Sequence, residues 1–305
     1  MPDVRRRARG CLLGMAIGDA LGATVEFMTR GEIQSQYGVH RKLCGGGWLR
    51  LKPGQVTDDT EMSLCIARSI VDVGFDPVDI ARHFVAWFRK IPPDVGNTCR
   101  RGISRFITQG TVHGERNEGD AGNGAAMRMA PIALAALADA ETLEAMALGQ
   151  ARITHHHPLS DAASILVGKL MQLGMIGHAM PRLRRTVDVF VKEFPTFKFV
   201  PYSGLATGYV VDTLQTVFHC LFTTQSFEEC LIATVNQGGD ADTTGAIAGA
   251  IAGAYYGPDA IPKEWLKKLD KETRIELQFL AEGLVDRSPL ANGAEVTLFP
   301  PAEAA

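Results

Sequence analysis

The sequence predicts an all-α protein in which one compact multi-helix domain occupies residues 1–305. Apolar residues recur at helical spacing through most of the chain, and helix-start signals precede several of these runs. No segment keeps the strict alternation of apolar and polar residues that indicates a half-buried strand. No linker, low-complexity segment or fixed-period repeat divides the chain, so a single domain is expected.

The first predicted helices are defined by apolar spacing and by capping residues. Segment 58–73 carries Met62 and Ile66 four residues apart, with further apolar residues on the same face. Asp76 directly before Pro77 provides an N-cap and first-turn pair for the next helix. These two signals place consecutive helices with a short connection between them.

The later helices follow in the same way. Val210, Leu214 and Val217 share one face of a predicted helix within 208–222. Ser226 and Glu229 then have the spacing of a capping box at the next helix start. Further helices are expected over 99–109, 126–137, 141–153, 159–176 and, as one final long helix, about 263–285.

Extended structure is expected in only two places. These are PTFKFVPYSG, residues 195–204, and the tail segment AEVTLFP, residues 294–300. The longest irregular stretch is predicted at 35–56, which contains CGGGW. Long loops of this kind often carry function.

Composition excludes several classes of protein. The net charge of −3 gives no basic surface for nucleic acid, and 46% hydrophobic residues are enough for a large core. The basic start with its apolar stretch is not interpreted as a signal peptide, because Asp19 and Glu26 interrupt it and no convincing cleavage site follows. The small-residue helix after Thr244 is too short to span a bilayer. A cytoplasmic protein is therefore expected.

The six cysteines are predicted to be reduced and buried. None forms a C-x-x-C pair, and most lie in apolar helical segments, which is not typical of a disulfide framework or a zinc site. They are Cys11, Cys44, Cys65, Cys99, Cys220 and Cys230.

Two acidic clusters are the main indication of chemistry. Each lies at a predicted helix start, in VTDDTEM and in GGDADTT. Capping of free N–H groups would explain either cluster alone, but one cap uses only one side chain. Clustered carboxylates and hydroxyls are the ligands that Mg²⁺, Mn²⁺ and Ca²⁺ prefer. Together with Glu26 the clusters offer more negative charge than one cation accepts, so two cations are expected if the fold brings them together.

The helix after the second cluster has small residues in register. Gly245, Gly249 and Gly253 repeat at every fourth position, and the residues between them are mainly alanine and isoleucine. Such a face lets a neighbouring helix approach closely, an arrangement best known from membrane helices. We expect this helix to be a tightly packed stem that fixes its acidic start in the core.

The motifs together resemble the ADP-ribosylglycohydrolases. The resemblance runs from about residue 8 to 260, with the motifs in family order. It rests on GCLLGMAIGDALGATVEF, VTDDTEMSLCIARSI, DVGNTCRRG, GNGAAMRMAPIAL, THHHPLSDAA, GYVVDTL and NQGGDADTTGAIAGAIAGAYYG. Within the family these motifs are most similar to the branch that acts on dinitrogenase reductase, the nitrogenase iron protein.

This resemblance implies an all-α fold with a dinuclear Mg²⁺ or Mn²⁺ centre in a central cleft. The implied reaction is hydrolysis of the N-glycosidic bond between ADP-ribose and a protein arginine. The metal ligands carried over from the family are Thr57, Asp58, Asp59, Asp240, Asp242 and Thr243, with Glu26 as a further acidic group beside the metals.

The resemblance also implies substrate contacts. Asp94 aligns with an aspartate near the reacting ribose and is the preferred proton-transfer residue, acting with Asp58 and Asp240 at the metals. An Asx-turn after Pro93 is the ordinary alternative for Asp94. The remaining substrate-binding residues are Asn97, Gly122, Asn123, Gly124, Met127, His155 and Tyr209. For Tyr209, simple core packing remains the alternative.

The sequence leaves several interpretations of the substrate and of the function open. The target could be ADP-ribosyl-serine, poly(ADP-ribose) or O-acetyl-ADP-ribose, because the metal residues would be the same. A non-catalytic relative and a diphosphate-cleaving phosphohydrolase are the other classes, although all four aspartates are present and no Nudix-type helix occurs. For the nitrogenase branch, the resemblance also implies association with a PII-type signalling protein and, through it, the membrane ammonium transporter.

Overall fold

Helices dominate the part of the chain that the structure describes, which is residues 1–204 and 206–297 of a computed structural model. This part contains 14 α-helices and no β-sheet, so the predicted all-α class is confirmed. The helices are α1 Pro2–Gly22, α2 Arg30–Tyr37, α3 Asp58–Val73, α4 Pro77–Phe88, α5 Asn97–Gln109, α6 Ala130–Ala135, α7 Ala140–Ala151, α8 Pro158–Met175, α9 Met180–Glu193, α10 Val210–Thr223, α11 Phe227–Val235, α12 Ala241–Tyr256, α13 Lys263–Lys268 and α14 Lys271–Asp286.

The helix-start signals act largely as predicted. The Asp76 side chain accepts a hydrogen bond from the backbone N–H of Val78 at the start of α4. The Ser226 hydroxyl accepts from the backbone N–H of Glu229 at the start of α11. The Glu229 carboxylate accepts from the N–H of Gln225 and not from that of Ser226, so the capping box is only half formed.

The C-terminal helix prediction was wrong in one respect. The expected helix over about 263–285 is two helices, α13 and α14, separated at Leu269 and Asp270. The Asp270 carboxylate accepts from the N–H of Thr273 and so caps a new helix, while the Asp270 N–H donates to the carbonyl of Gly54. The continuous apolar pattern therefore predicted one helix, whereas the capping bond of Asp270 starts a second helix at this point.

The predicted extended segments do not form strands among the described residues. Segment 195–204 begins with the 3₁₀ turn Pro195–Phe197, because its aromatic side chains pack into the helical core instead of a sheet. In the tail, Thr297 makes one isolated parallel bridge with Asp139, and residues 298–300 lie outside the described part. The irregular stretch predicted at 35–56 begins after Tyr37, where α2 ends.

The stem prediction for α12 is confirmed by its contact with α1. The two helices run antiparallel, and a Cβ added at Gly14 would overlap the carbonyl oxygen of Gly249. Gly10 and Gly18 face Gly253 and Gly245 in the same manner. Backbone therefore packs directly on backbone, as closely spaced small residues permit. α8, α10 and α11 surround the pair, and α12 is buried along nearly all its length.

The cysteine prediction holds with one exception. All six are free thiols, and five are buried, but Cys44 is exposed because it lies in the irregular segment after α2 and not in a helix. Within residues 1–204 and 206–297, no helix is long and apolar enough to cross a membrane.

Candidate active site

The two acidic segments meet at one place in the core. The Thr243 hydroxyl at the start of α12 donates to Asp59 Oδ2 at the start of α3, at 3.3 Å, although 184 residues separate them in the chain. The Thr57 hydroxyl donates to the same Asp59 oxygen at 3.2 Å. The juxtaposition that the sequence could only propose is therefore present.

Asp19 on α1 positions the start of α3 and was not identified from the sequence as a site residue. Its carboxylate accepts from the backbone N–H groups of Thr57 and Thr60 at 3.0–3.1 Å and from the Thr60 hydroxyl at 2.5 Å. Asp19 is fully buried, and burial raises its pKa to about 7 against the lowering effect of these bonds. The available signal was an acidic residue within the apolar face of a helix, which is uncommon without a partner.

The remaining carboxylates converge beside this contact. One oxygen each from Glu26, Asp240 and Asp242 lies within 4.8 Å of the others. Asp58 Oδ2 accepts from the backbone N–H of Gly96 at 3.2 Å, which joins the start of α3 to the start of α5. The six predicted metal-site residues and Glu26 therefore belong to one cluster.

Burial and mutual repulsion both disfavour the charged form of the carboxyl groups in this cluster. Burial raises the pKa of Asp58, Asp59 and Asp242 well above the usual range, and neighbouring carboxylates raise it further. Like charges packed in a poorly solvated site repel one another unless a positive charge compensates them.

The cluster fits a hard divalent cation by its chemistry. Asp59 Oδ1 is buried and has no hydrogen-bond partner among the described residues, which is costly for a carboxylate unless a ligand binds it. The surrounding donors are carboxylates and hydroxyls, the set that Mg²⁺ and Mn²⁺ prefer over soft metals.

A cavity of about 290 Å³ opens above the cluster. It brings together residues from both acidic segments, from segment 94–99, which leads into the first turn of α5, and from the glycine loop, residues 122–124, that precedes α6. Its lining includes Glu26, Phe27, Asp58, Asp94, Asn97, Gly122, Asn123, Gly124, Met127, His155, Asp240, Asp242 and Thr243. Thr57 and Asp59 lie beneath this surface, and Tyr209 lies at its edge, where it pairs with Gly122 in an isolated bridge and is 39% exposed.

Asn123 connects the glycine loop to the acidic cluster. Its side-chain amide donates to Asp240 Oδ2 at 2.7 Å and to the Thr213 hydroxyl at 2.9 Å. Its backbone N–H donates to the carbonyl of Gly208 at 3.1 Å. Asn123 therefore orients an acidic residue in addition to lining the cavity.

Asp94 and Asn97 also line the cavity. Asp94 is half-buried, and this burial raises its pKa. The nearby charge of Asp240 raises the pKa further, whereas a hydrogen bond from the backbone of Val95 lowers it. Asn97 is exposed at the first residue of α5. Asp94 is thus a carboxyl group placed at the edge of the cluster with access to the cavity.

His155 is held by a buried relay that the sequence did not reveal. Arg128 is fully buried, lies 4.9 Å from the centre of the Phe84 ring, and has no carboxylate within ion-pair distance in the described part of the chain. Its Nη2 donates to the Thr154 hydroxyl at 2.8 Å, and that hydroxyl lies 2.7 Å from His155 Nδ1.

The relay bears on the position of the proton on the His155 ring. The Thr154 hydroxyl accepts from Arg128, so its own proton is available to His155 Nδ1, and that bond would leave the ring proton on Nε2. Burial lowers the pKa of His155 well below its usual range, and the charges of Arg128 and Arg101 add to this. His155 is therefore a buried, neutral imidazole in the lining of the cavity.

The other two histidines of THHHP have structural partners. His156 Nδ1 lies 2.7 Å from the carbonyl of Gly114. His157 caps α8, where its Nδ1 accepts from the N–H of Leu159 at 3.1 Å.

Trp48 is a further residue that the sequence missed. Its indole N–H donates to Glu26 Oε2 at 2.6 Å. Burial raises the pKa of Glu26 to about 8, against the effect of this bond, and the charges of Asp94, Asp240 and Asp58 also raise it. Only the general expectation that the 35–56 loop carries function pointed to Trp48.

The comparisons with known proteins agree with this geometry. The family model described as ADP-ribosylglycohydrolase matches residues 1–293. An ADP-ribosyl-(dinitrogen reductase) glycohydrolase from Rhodospirillum rubrum is 55% identical over 285 residues, 93% of this chain and 97% of that protein. An ADP-ribosylarginine hydrolase from Serratia proteamaculans is 33% identical over 93% of this chain and 80% of its own length.

A solved structure has the same fold. The chain of an ADP-ribosylglycohydrolase-related protein complex superimposes with a TM-score of 0.83 at 34% identity, over 94% of this chain and 99% of that one.

Proposed function

This chain belongs to the ADP-ribosylglycohydrolase family, and from that membership we propose that it hydrolyses the N-glycosidic bond between ADP-ribose and an arginine of a target protein. The proposed target is the nitrogenase iron protein, dinitrogenase reductase, because the relative from Rhodospirillum rubrum is named for that substrate. The observation that carries the proposal is the meeting of two acidic helix starts beneath one cavity.

The acidic cluster is the proposed site of two divalent cations, Mn²⁺ or Mg²⁺. Four aspartates and Glu26 bring more negative charge than one such cation accepts. Held there, such cations would supply Lewis-acid binding of the ribose hydroxyl oxygens and so fix the sugar beside the acidic residues. The proposed ligands are Thr57, Asp58, Asp59, Asp240, Asp242 and Thr243, with Glu26 beside them.

The opposite wall of the cavity suits the nucleotide. Gly122, Asn123 and Gly124 form a loop that lines the cavity, and the proposed place of the anionic diphosphate is beside the backbone N–H groups of the two glycines, since that of Asn123 donates to Gly208. The neutral His155 adds an Nε2–H donor to the same wall. Tyr209, 39% exposed at the edge, offers a ring face to adenine, and Met127 contributes apolar lining.

The reaction breaks the bond between ribose C1 and the arginine nitrogen. Water adds a hydroxyl to C1, and the departing guanidino group takes up a proton, so one water is consumed for each ADP-ribose released. Asp94 is the proposed proton-transfer residue, because its half-buried carboxyl group faces the cavity at the edge of the cluster. Asp58 and Asp240 act beside it as members of the proposed metal site.

A direct assay tests this function. Purified protein with Mn²⁺ is incubated with arginine-ADP-ribosylated iron protein, and mass spectrometry should detect free ADP-ribose together with unmodified arginine. Release of AMP would instead indicate diphosphate cleavage and would contradict the proposal.

Replacement of Asp240 tests the site itself. The Asp240 side chain makes no capping bond to α12, so Asp240→Ala should keep the helical circular dichroism. Activity should fall by at least about 100-fold. Mutation of a residue that only hydrogen-bonds to a metal ligand already lowers activity by about 10- to 100-fold, and loss of a ligand itself should lower it more. Asp72→Ala, an exposed aspartate at the far end of α3, is the matched control and should retain activity.

Association with a PII-type signalling protein, and through it with the membrane ammonium transporter, is proposed for the same branch. The support is the similarity to the relative that acts on dinitrogen reductase. Size-exclusion chromatography of this protein mixed with a purified PII-type protein should give a joint peak, and separate elution would contradict the proposal.

A further inference from the structure

Two large aromatic side chains stand exposed beside the acidic cluster. Phe27 is 64% exposed and Trp48 is 54% exposed, and their ring centroids are 5.3 Å apart at an interplanar angle of 47°. Phe27 lines the cavity and follows Glu26 directly in the chain. We call these two rings the aromatic pair.

The backbone holds Phe27 in an unusual conformation. Its φ of +62° lies in the left-handed region, which is unfavourable for a residue with a side chain. Its N–H donates to the carbonyl of Gly239 at 2.6 Å, immediately before the acidic start of α12. Strain that persists next to an active site, and that places an apolar ring in solvent, favours a functional reason.

Trp48 is held in place by a backbone contact and by a side-chain hydrogen bond. A Cβ at Gly47 would overlap the carbonyl oxygen of Ala23, so the loop before Trp48 lies directly on the end of α1. The Trp48 N–H is fixed by Glu26 Oε2, which leaves the indole face and not its polar edge open to solvent.

Charge decides which part of the substrate this surface suits. The diphosphate is anionic and fits the glycine loop with its N–H donors, not the carboxylates of Glu26 and Asp94. Aromatic faces beside carboxylates are instead the surroundings that a guanidinium group prefers, because it stacks on rings and pairs with acids. Arginine is the group to which the ADP-ribose is attached in the proposed function.

We infer that the aromatic pair holds the arginine side chain and the adjoining polypeptide of the ADP-ribosylated target, and so selects arginine-linked substrates. This inference rests on the proposed function. It assigns Phe27 and Trp48 to substrate selection and leaves the cleavage step to the acidic cluster.

Kinetics of Phe27→Ala and Trp48→Ala on the arginine-ADP-ribosylated iron protein test the inference. KM should rise about tenfold with little change in kcat, as expected for loss of one stacked cation contact. The dissociation constant of free ADP-ribose, measured by calorimetry, should stay within about twofold of the wild-type value, because the product lacks the arginine. Phe279→Ala removes an equally exposed ring on α14 and should change neither quantity.

Trp48→Phe separates the ring from its hydrogen bond. It keeps an aromatic face but loses the donor to Glu26, so its KM should stay near the wild-type value. A KM increase as large as that of Trp48→Ala would overturn the role of the ring face. An equal rise in the dissociation constant of ADP-ribose would also overturn the inference, since the pair would then bind the nucleotide.

The outcomes distinguish this inference from the proposed function. Wild-type protein that does not cleave arginine-linked ADP-ribose at all would overturn both. Active wild-type protein with unchanged KM in Phe27→Ala and Trp48→Ala would overturn the aromatic pair alone.

Discussion

At the scale of single residues, the relay from Arg128 through Thr154 to His155 gives a testable consequence. A buried arginine without a carboxylate partner is rare, because burial of an unpaired charge is costly. Here the guanidinium is satisfied by Gln150, Thr154 and the face of Phe84. The guanidinium also holds the Thr154 hydroxyl beside His155 Nδ1, so we expect it to influence which nitrogen of the ring carries the proton.

Thr154→Val should release that control. Valine keeps the shape of threonine but cannot bridge Arg128 and His155, so the ¹⁵N chemical shifts of His155 should change from one tautomer to a mixture. Affinity for ADP-ribose should fall by about 3- to 10-fold, the worth of one hydrogen bond. Unchanged ¹⁵N shifts would contradict the relay, and Thr223→Val, an exposed threonine at the end of α10, is the control.

At the scale of helices, the contact between α1 and α12 leaves no space for side chains. Gly14→Ala should therefore destabilise the protein by about 3 kcal/mol or more, because the new methyl group meets backbone atoms that cannot move aside. Gly31→Ala is the matched control, since Gly31 lies in α2 with open space around it. Chemical denaturation of both variants measures the difference, and equal stability of the two would contradict the close packing.

Local signals explain which helices were predicted correctly. Apolar period and capping residues are properties of short segments, so the start of α3 and the cap of α4 could be predicted from sequence. The break between α13 and α14 depends on the Asp270 N–H reaching Gly54, a contact far away in the chain. Likewise the regular spacing of glycines in α12 is visible in the sequence, but only the fold shows that the glycines of α1 face them.

At the scale of the whole molecule, the acidic cluster links cation binding to stability. Adding Mn²⁺ to metal-free protein should raise Tm by roughly 5 °C at one hundred times the dissociation constant, because binding to the folded state alone stabilises it. Differential scanning calorimetry with and without chelator measures this shift.

Asp59→Asn is the informative variant for that experiment. It removes a buried charge, so metal-free protein should be at least as stable as the wild type, while the shift on adding Mn²⁺ should largely disappear. A full shift in Asp59→Asn would contradict the role of Asp59 as a ligand.

The site could be predicted only where family motifs or residue type marked it. The acidic segments and the glycine loop were recognised because they concentrate unusual residues over a few positions. Asp19, Thr154 and Trp48 were not, since each acts through a partner that only the three-dimensional fold supplies.

The backbone contact between α1 and α12 also bears on how the chain is made. During translation α1 leaves the ribosome long before α12, since most of the sequence lies between them. At synthesis rates of about 5–20 residues per second, the wait is on the order of 10 s or more. The nascent chain must therefore keep the bare face of α1 uncovered, or sheltered by a chaperone, until its partner is synthesised.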